Sequence, residues 1–148
     1  MNSITKIFSI LVLSSLVLIS CSDDNSVSND PSSNSDKLQN GTWVISYYWN
    51  SEKDKTSMFT NHDFNFSSNG EIEVLFTTVM NALRTYSGNW SFGIDDNVNK
   101  LYLTFNSMTY IDDLNDDWEV VEFSDNKIRL QDVSGGGGET DYLTFERK

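Results

Sequence analysis

The stretch GTWVISYYW, residues 41–49, decides the fold. Its aromatic and apolar side chains recur at every second position, so one face of an extended chain carries Trp43, Ile45, Tyr47 and Trp49. Successive side chains of a β-strand point to opposite faces, whereas a helix repeats about every 3.6 residues. The stretch therefore predicts a half-buried strand with these four side chains turned toward a protein core.

The same period of two returns along the rest of the chain. Residues 118–123 also favour a strand, but its phase is undefined because both faces are apolar. Residues 109–116 favour a single helical turn. The positions predicted to face inward are His62, Phe64 and Phe66; Ile72, Val74 and Phe76; Tyr86, Gly88, Trp90 and Phe92; Leu101, Leu103 and Phe105; Ile128 and Leu130; and Leu143, Phe145 and Arg147.

Turn-forming residues separate these segments at positions 68–70, 95–97, 124–126 and 134–138. Short strands at this spacing are typical of an all-β sandwich or barrel. Joining about eight antiparallel strands in chain order and closing the sheet leaves no unpaired edge. We therefore predict an all-β domain, an eight-stranded antiparallel up-and-down barrel.

The charge balance excludes several functions. The 148 residues include 10 Lys and Arg against 22 Asp and Glu, a net charge of −12. Nucleic-acid binding needs a basic face that neutralises phosphates, and no basic cluster is present, so we expect no nucleic-acid partner. The single cysteine and single histidine allow neither an internal disulfide nor a histidine-rich metal site.

The chain begins with a short apolar segment. Lys6 precedes an apolar run at residues 7–19, which ends just before Cys21. A membrane-spanning helix needs about 20 apolar residues, so this run is short for one. A basic start, a short apolar run and an abrupt polar continuation are typical of a secretory signal peptide, which we place at residues 1–20.

Serine, asparagine and aspartate dominate residues 22–37, where Pro31 is the only proline. Such a segment cannot bury enough apolar surface to offset the entropy lost on ordering. We therefore expect a disordered linker at residues 21–37 and a folded domain at residues 38–148.

Leu18-Ile19-Ser20-Cys21 resembles the lipobox of bacterial lipoproteins. In that family the cysteine thiol is alkylated by a diacylglycerol, the signal peptide is removed before it, and the new amine is acylated. The resemblance implies that Cys21 is the lipid attachment site and that its acyl chains anchor the protein in the bacterial outer membrane. Ser22-Asp23-Asp24 resembles the acidic export signal of surface lipoproteins of the Bacteroidota type, which implies exposure at the cell surface.

Gly41-Thr42-Trp43 resembles the Gly-x-Trp signature of the lipocalin and calycin families. In those families the tryptophan packs across the barrel floor against a basic residue from the last strand. Arg147 lies near the end of the chain on the inward phase. The resemblance implies a lipocalin-like barrel with Gly41, Trp43 and Arg147 at its floor.

Two functions fit a barrel with many inward aromatic side chains. The first is uptake of a small apolar ligand into the barrel. The second is a solid barrel, filled by its own side chains, that binds an envelope protein partner through its loops, because eight strands enclose little more than their side chains. The candidate ligand-lining residues are Tyr47, Trp49, His62, Phe66, Tyr86 and Trp90.

Catalytic and metal-binding patterns are weak. His62 has no second histidine and no free cysteine to form a nucleophile–base pair, so we expect no enzyme, although His62 with Asp63 keeps a hydrolase as a third hypothesis. Segments 95–99 and 113–117 have the oxygen spacing of a calcium loop but lack its glycine and closing glutamate. The glycines at 135–138 lack the Gly-Lys-Ser/Thr ending of a phosphate loop. We expect no metal and no cofactor.

Overall fold

A computed structural model describes residues 31–50, 52–133 and 139–148. The helical elements of these residues are α1 (Pro31–Gln39) and two 3₁₀ helices, η1 (Thr56–Phe59) and η2 (Tyr110–Leu114). The strands are β1 (Trp43–Asn50), β2 (Lys53–Asp54), β3 (His62–Phe66), β4 (Glu71–Thr77), β5 (Leu83–Asp95), β6 (Val98–Phe105), β7 (Asp116–Phe123), β8 (Lys127–Val133) and β9 (Thr140–Arg147). In this described part, no helix is long and apolar enough to cross a membrane.

Eight strands, β1 and β3 to β9, close into an antiparallel barrel in chain order. β1 completes the closure by pairing with β9 along most of its length and with β3 through Trp43 and Phe64. β2 is an additional short strand that pairs with the end of β1. The predicted all-β, eight-stranded antiparallel barrel is therefore confirmed. We call the end with Trp43 and Arg147 the floor, and the opposite end, which η1 and η2 cover, the upper end.

The tight turns follow from the residues that form them. Asp96 and Asn97 join β5 to β6 with φ angles of 47° and 65°. Two positive φ angles define a type I′ turn, which matches the twist of a hairpin and favours asparagine and aspartate. The turns predicted at 68–70 and 124–126 lie between consecutive strands, and the one at 95–97 begins with the last residue of β5. The turn predicted at 134–138 lies outside the described residues.

Apolar side chains from all eight barrel strands fill the interior. Leu38 of α1 covers the floor, while Phe59 of η1 and Ile111 and Leu114 of η2 cover the upper end. Burial of this apolar surface is the main source of stability. The largest fully buried side chains are Trp43, Trp118, Tyr48, Phe59, Phe64, Phe123 and Phe145.

The predicted linker was wrong over Pro31–Lys37, because these residues belong to α1. Asn34 and Leu38 lie one helical turn apart and are 1% and 0% exposed, so this face of the helix packs on the barrel. A single apolar residue on that face is too weak a signal to predict a helix from sequence. The predicted signal peptide, Cys21 and the rest of the linker lie outside the described residues.

The inward position predicted for Tyr47 and Trp49 was also wrong. The pairing of β1 with β9 shifts register between Ile45 and Tyr47, which is a β-bulge. One extra residue in a strand reverses the faces of all the residues that follow it. Tyr48 is therefore fully buried, whereas Tyr47 is 40% exposed on the outer wall.

Gly88 tests how tightly the barrel is packed. It faces Phe105 across β5 and β6, and a methyl group there would lie 2.5 Å from Phe105 Cδ1 and 2.6 Å from the Thr104 carbonyl oxygen. We expect Gly88→Ala to lower the free energy of unfolding in urea by about 1–3 kcal/mol, the usual cost of overpacking. Gly93→Ala is the matched control, because its methyl group would meet the outward-facing side chain of Tyr102, which can rotate away. Equal losses in the two variants would contradict this account.

Candidate functional site

The structure brings the three signature residues together at the floor. Gly41 has a φ angle of +105°, in the region that favours glycine, and turns the chain from α1 into β1. The indole Nε1 of Trp43 donates a hydrogen bond to the Leu38 carbonyl at 2.8 Å. Arg147 Cζ lies 4.9 Å from the Trp43 ring centroid, and its Nη2 donates to the Lys37 carbonyl at 3.0 Å. These contacts join the first strand, the last strand and the helix.

The upper end contains the only histidine. His62 is 1% exposed and stacks on Phe76, with ring centroids 4.3 Å apart. Its Nδ1 lies 3.0 Å from the Thr60 carbonyl, which can only accept, so Nδ1 carries the proton. Nε2 of the neutral ring then accepts a hydrogen bond from the Tyr110 hydroxyl at 2.5 Å. Both ring nitrogens are thus used within the fold.

Burial also shifts the pKa values at this end. Burial lowers the pKa of His62, because a charged imidazolium loses its hydration there. Burial, together with the neighbouring Tyr86, raises the pKa of Tyr110 to about 12. At neutral pH this pair is uncharged, which suits its position over the apolar interior.

Carboxyl groups gather on one side of the upper end. Oxygens of Asp116, Asp117 and Asp132 lie within 4.8 Å of one another. Burial raises the pKa of Asp116, and the charge of Asp132 raises it further. Lys100 forms an ion pair with Asp117, with Nζ and Oδ2 3.8 Å apart.

Residues 113–117, whose spacing resembles that of a calcium loop, make several separate contacts within the protein. Asp113 forms an ion pair with Lys55 at 3.2 Å. The side chain of Asn115 bonds to both the backbone N–H and the carbonyl of Phe105, so it fixes the start of the loop that follows β6. These oxygens therefore point to separate partners within the protein.

The structure divides the predicted ligand-lining residues into two groups. Phe66 and Trp90 form an edge-to-face pair in the lower interior, with centroids 5.7 Å apart, and His62 lies at the upper end. Tyr86 is half-buried beside Tyr110, at a centroid distance of 6.2 Å. Tyr47 and Trp49 lie on the outer wall, opposite Thr144 and Tyr142 of β9. The six residues do not line one common site.

The outer wall carries a second set of residues that the sequence analysis missed. A small concavity of about 70 Å³ lies over β8 and β9. A second bulge, between Val120 and Glu122 of β7, flanks it on the side away from Tyr47. The only sequence signal is a pair of consecutive apolar residues at each bulge, Tyr47-Tyr48 and Val120-Val121, where a half-buried strand would alternate. The concavity is lined by Tyr47, Val121, Arg129, Gln131, Tyr142 and Thr144.

Comparison with known proteins supports the fold. No protein-family model and no curated protein matches the chain. A solved structure of a lipocalin-like protein from Bacteroides uniformis is 17% identical, with a TM-score of 0.50 over 75% of this chain and 99% of that protein. An uncharacterized protein from Bacteroides eggerthii is 16% identical, with a TM-score of 0.45 over 73% of this chain and 98% of that protein.

The strand topology and the likeness to the Bacteroides uniformis structure define the fold as a lipocalin-like β-barrel. At 17% identity the likeness to the Bacteroides uniformis protein concerns the fold alone, since one fold serves many functions.

The contact between Arg147 and Trp43 can be tested by a conservative change. The planar guanidinium stacks on the indole and hydrogen-bonds to the Lys37 carbonyl at the same time, and a lysine ammonium cannot make both contacts. We expect Arg147→Lys to lower the free energy of unfolding by about 0.5–2 kcal/mol, the range of a cation–π contact. Arg129→Lys is the control, because its exposed ion pair contributes little. A loss no larger than that of the control would contradict the stacking role.

His62 makes stability depend on pH in a defined direction. Because its pKa in the folded protein lies below 6.5, the unfolded chain takes up a proton first as the pH falls. We expect the free energy of unfolding to fall below about pH 6.5, by at most about 1.4 kcal/mol per pH unit, until the folded-state pKa is reached.

The imidazole proton signals in NMR report this pKa directly, because the chain has one histidine. Urea titrations between about pH 7.5 and 5.5 should lose this dependence in His62→Gln, which does not titrate there. Titration of His62 at or above the unperturbed pKa of 6.5 would contradict the prediction.

Proposed function

We propose that the chain is a lipid-anchored binding module of the bacterial outer membrane that recognises a partner with the outer surface of a solid barrel. It is not an enzyme in this proposal. One observation carries the proposal: side chains of the protein itself occupy the barrel interior from the floor to the upper end.

Aromatic contacts in the lower interior support a filled barrel. Phe145 packs edge-to-face on Phe64 at 5.3 Å and on Phe66 at 5.9 Å between centroids. Phe92 contacts Phe123 at 5.6 Å in the same way. Edge-to-face rings at these distances are in direct contact, and an eight-stranded barrel is just wide enough to be filled in this manner.

Both ends of the barrel are covered. Leu38 lies under the floor with no exposed surface. At the upper end, Tyr48 rises from the interior, packs on Phe59 at 5.5 Å, and donates a hydrogen bond from its hydroxyl to the Asp113 carbonyl. A ligand that entered from above would first have to displace η2, so the outer surface is the more accessible place for a partner.

The anchor and the absence of catalysis have separate support. The lipobox-like sequence at Cys21 supports acylation, and α1 begins ten positions after Cys21. A stretch of ten residues spans at most about 35 Å, which would keep the barrel close to the membrane. Both nitrogens of His62 are bonded within the fold and the ring is buried, which argues against a histidine-based hydrolase.

A small apolar ligand inside the barrel is the second candidate. The half-buried rings of Tyr86 and Phe76 near η2 favour it, because they give the upper end an apolar lining that a shift of η2 would open. The lipocalin-like fold is compatible with either function.

Native mass spectrometry of protein purified from the membranes of its own host tests the proposal. We expect the wild type to carry acyl mass at Cys21, with no apolar small molecule bound inside the barrel. Cys21→Ser should lose the acyl mass and accumulate as unprocessed precursor. A stoichiometric apolar molecule released on unfolding would favour the second candidate, and acylation that survives Cys21→Ser would contradict the anchor.

A further inference from the structure

The outer wall of β1, β9, β8 and β7 presents two rows of side chains. The strand registers place Tyr47, Thr144, Arg129 and Glu122 in the first row. They place Trp49, Tyr142, Gln131 and Glu119 in the second row. Neighbouring strands lie about 4.8 Å apart and residues of one face about 6.8 Å apart along a strand. The two rows therefore cover a patch of about 14 by 7 Å, which we call the outer aromatic face.

The bulges make this face concave. One lies between Ile45 and Tyr47 of β1, and the other lies between Val120 and Glu122 of β7, so the two strands that flank β8 and β9 are both distorted. Bulges increase local twist and redirect side chains. Here they turn Tyr47 and Val121 outward on opposite sides of the same concavity.

The aromatic side chains are concentrated on one half of the face. Tyr47 is 40% exposed and Tyr142 is 41% exposed, and Trp49 lies directly across from Tyr142. Tyrosine and tryptophan rings combine a flat apolar surface with a polar tip, which makes them effective at binding surfaces.

The other half of the face is polar and carries one positive and two negative side chains. Arg129 Nη1 lies 3.4 Å from Glu122 Oε2, and Gln131 Nε2 donates to Glu119 Oε2 at 2.9 Å. Guanidinium and amide groups donate hydrogen bonds, and carboxylates accept them. The face therefore offers both donors and acceptors, and its excess of one negative charge disfavours an anionic ligand.

We propose that the outer aromatic face binds a neutral carbohydrate. The C–H surface of a pyranose ring packs on an aromatic ring, while its hydroxyl groups both donate and accept hydrogen bonds, and the two halves of the face match these two properties. The patch is the size of one or two sugar rings. The net charge of −12 repels anionic ligands and disfavours face-to-face pairing of two copies. The inference rests on the proposed function only in placing the ligand outside the barrel.

The test uses the folded protein and defined neutral sugars. Isotope-labelled protein is titrated with maltohexaose, cellohexaose, xylohexaose, mannohexaose and fully N-acetylated chitohexaose, and with glucose, while backbone amide shifts are followed by NMR. We expect at least one hexasaccharide to shift the amides of the four strands that carry the face, β1, β7, β8 and β9. A matching response to glucose would identify a single ring as the unit bound.

Variants on the wall of the barrel complete the test. Tyr47→Ala and Tyr142→Ala remove exposed rings and should each weaken binding by about tenfold or more, as expected for an aromatic anchor. Tyr102→Ala is the matched control, because Tyr102 is an outward-facing tyrosine on β6 outside the concavity, and it should leave affinity unchanged. Urea denaturation establishes that each variant is folded.

The inference is overturned by the absence of any shift with the sugars at millimolar concentration, by binding that persists in Tyr47→Ala and Tyr142→Ala, or by shifts confined to the interior. A concentration-dependent dimer through this face would also overturn it in favour of a second copy of the chain. The proposed function fails by a different result, a small molecule found inside the barrel, so the two failures are distinguishable.

Discussion

Trp43 lies where the first strand, the last strand and the N-terminal helix meet. Its backbone pairs with Phe64 on one side and Arg147 on the other, and its ring is fully buried between the helix carbonyl that it bonds and the guanidinium that covers it. The strand pairing of β1 with β3 consists of this one residue pair, so closure of the barrel depends on the groups that hold Trp43 in place. The rest of the barrel is a series of hairpins, each stabilised locally by the pairing of consecutive strands.

The number and order of the barrel strands could be predicted from sequence because alternation is a local property. Residues 71–74 alternate between charged and apolar side chains, and Asp96-Asn97 has the composition of a hairpin turn. The faces of β1 could not be predicted beyond Ile45, since the bulge depends on how β1 pairs with a strand about 100 positions away. Tyr47 therefore lies on the outer face, although the residues next to it in the sequence do not indicate this.

Helix α1 and the outer aromatic face were missed for the same physical reason. The helix is stabilised by contact with the barrel rather than by its own sequence, which provides one apolar side chain, Leu38, for the interface. The outer face exists because two distorted strands flank two regular ones, and only the folded sheet brings Tyr47, Arg129 and Tyr142 together. The contact between Trp43 and Arg147 at the floor could be predicted because the resemblance to the Gly-x-Trp signature implied it.

The pairing of β1 with β9 also governs the time course of folding. Arg147 and the Lys37 carbonyl that it binds are 110 positions apart, so the contacts that close the barrel are among the least local in the molecule. Contacts of long sequence separation require a large loop to be closed first, and folds dominated by them form slowly. The hairpins from β3 to β8 can form early, yet the two edges stay unpaired until β9 is available. Until β9 pairs with β1, the open sheet is therefore the species most exposed to aggregation, and the eight residues of β9 end that exposure.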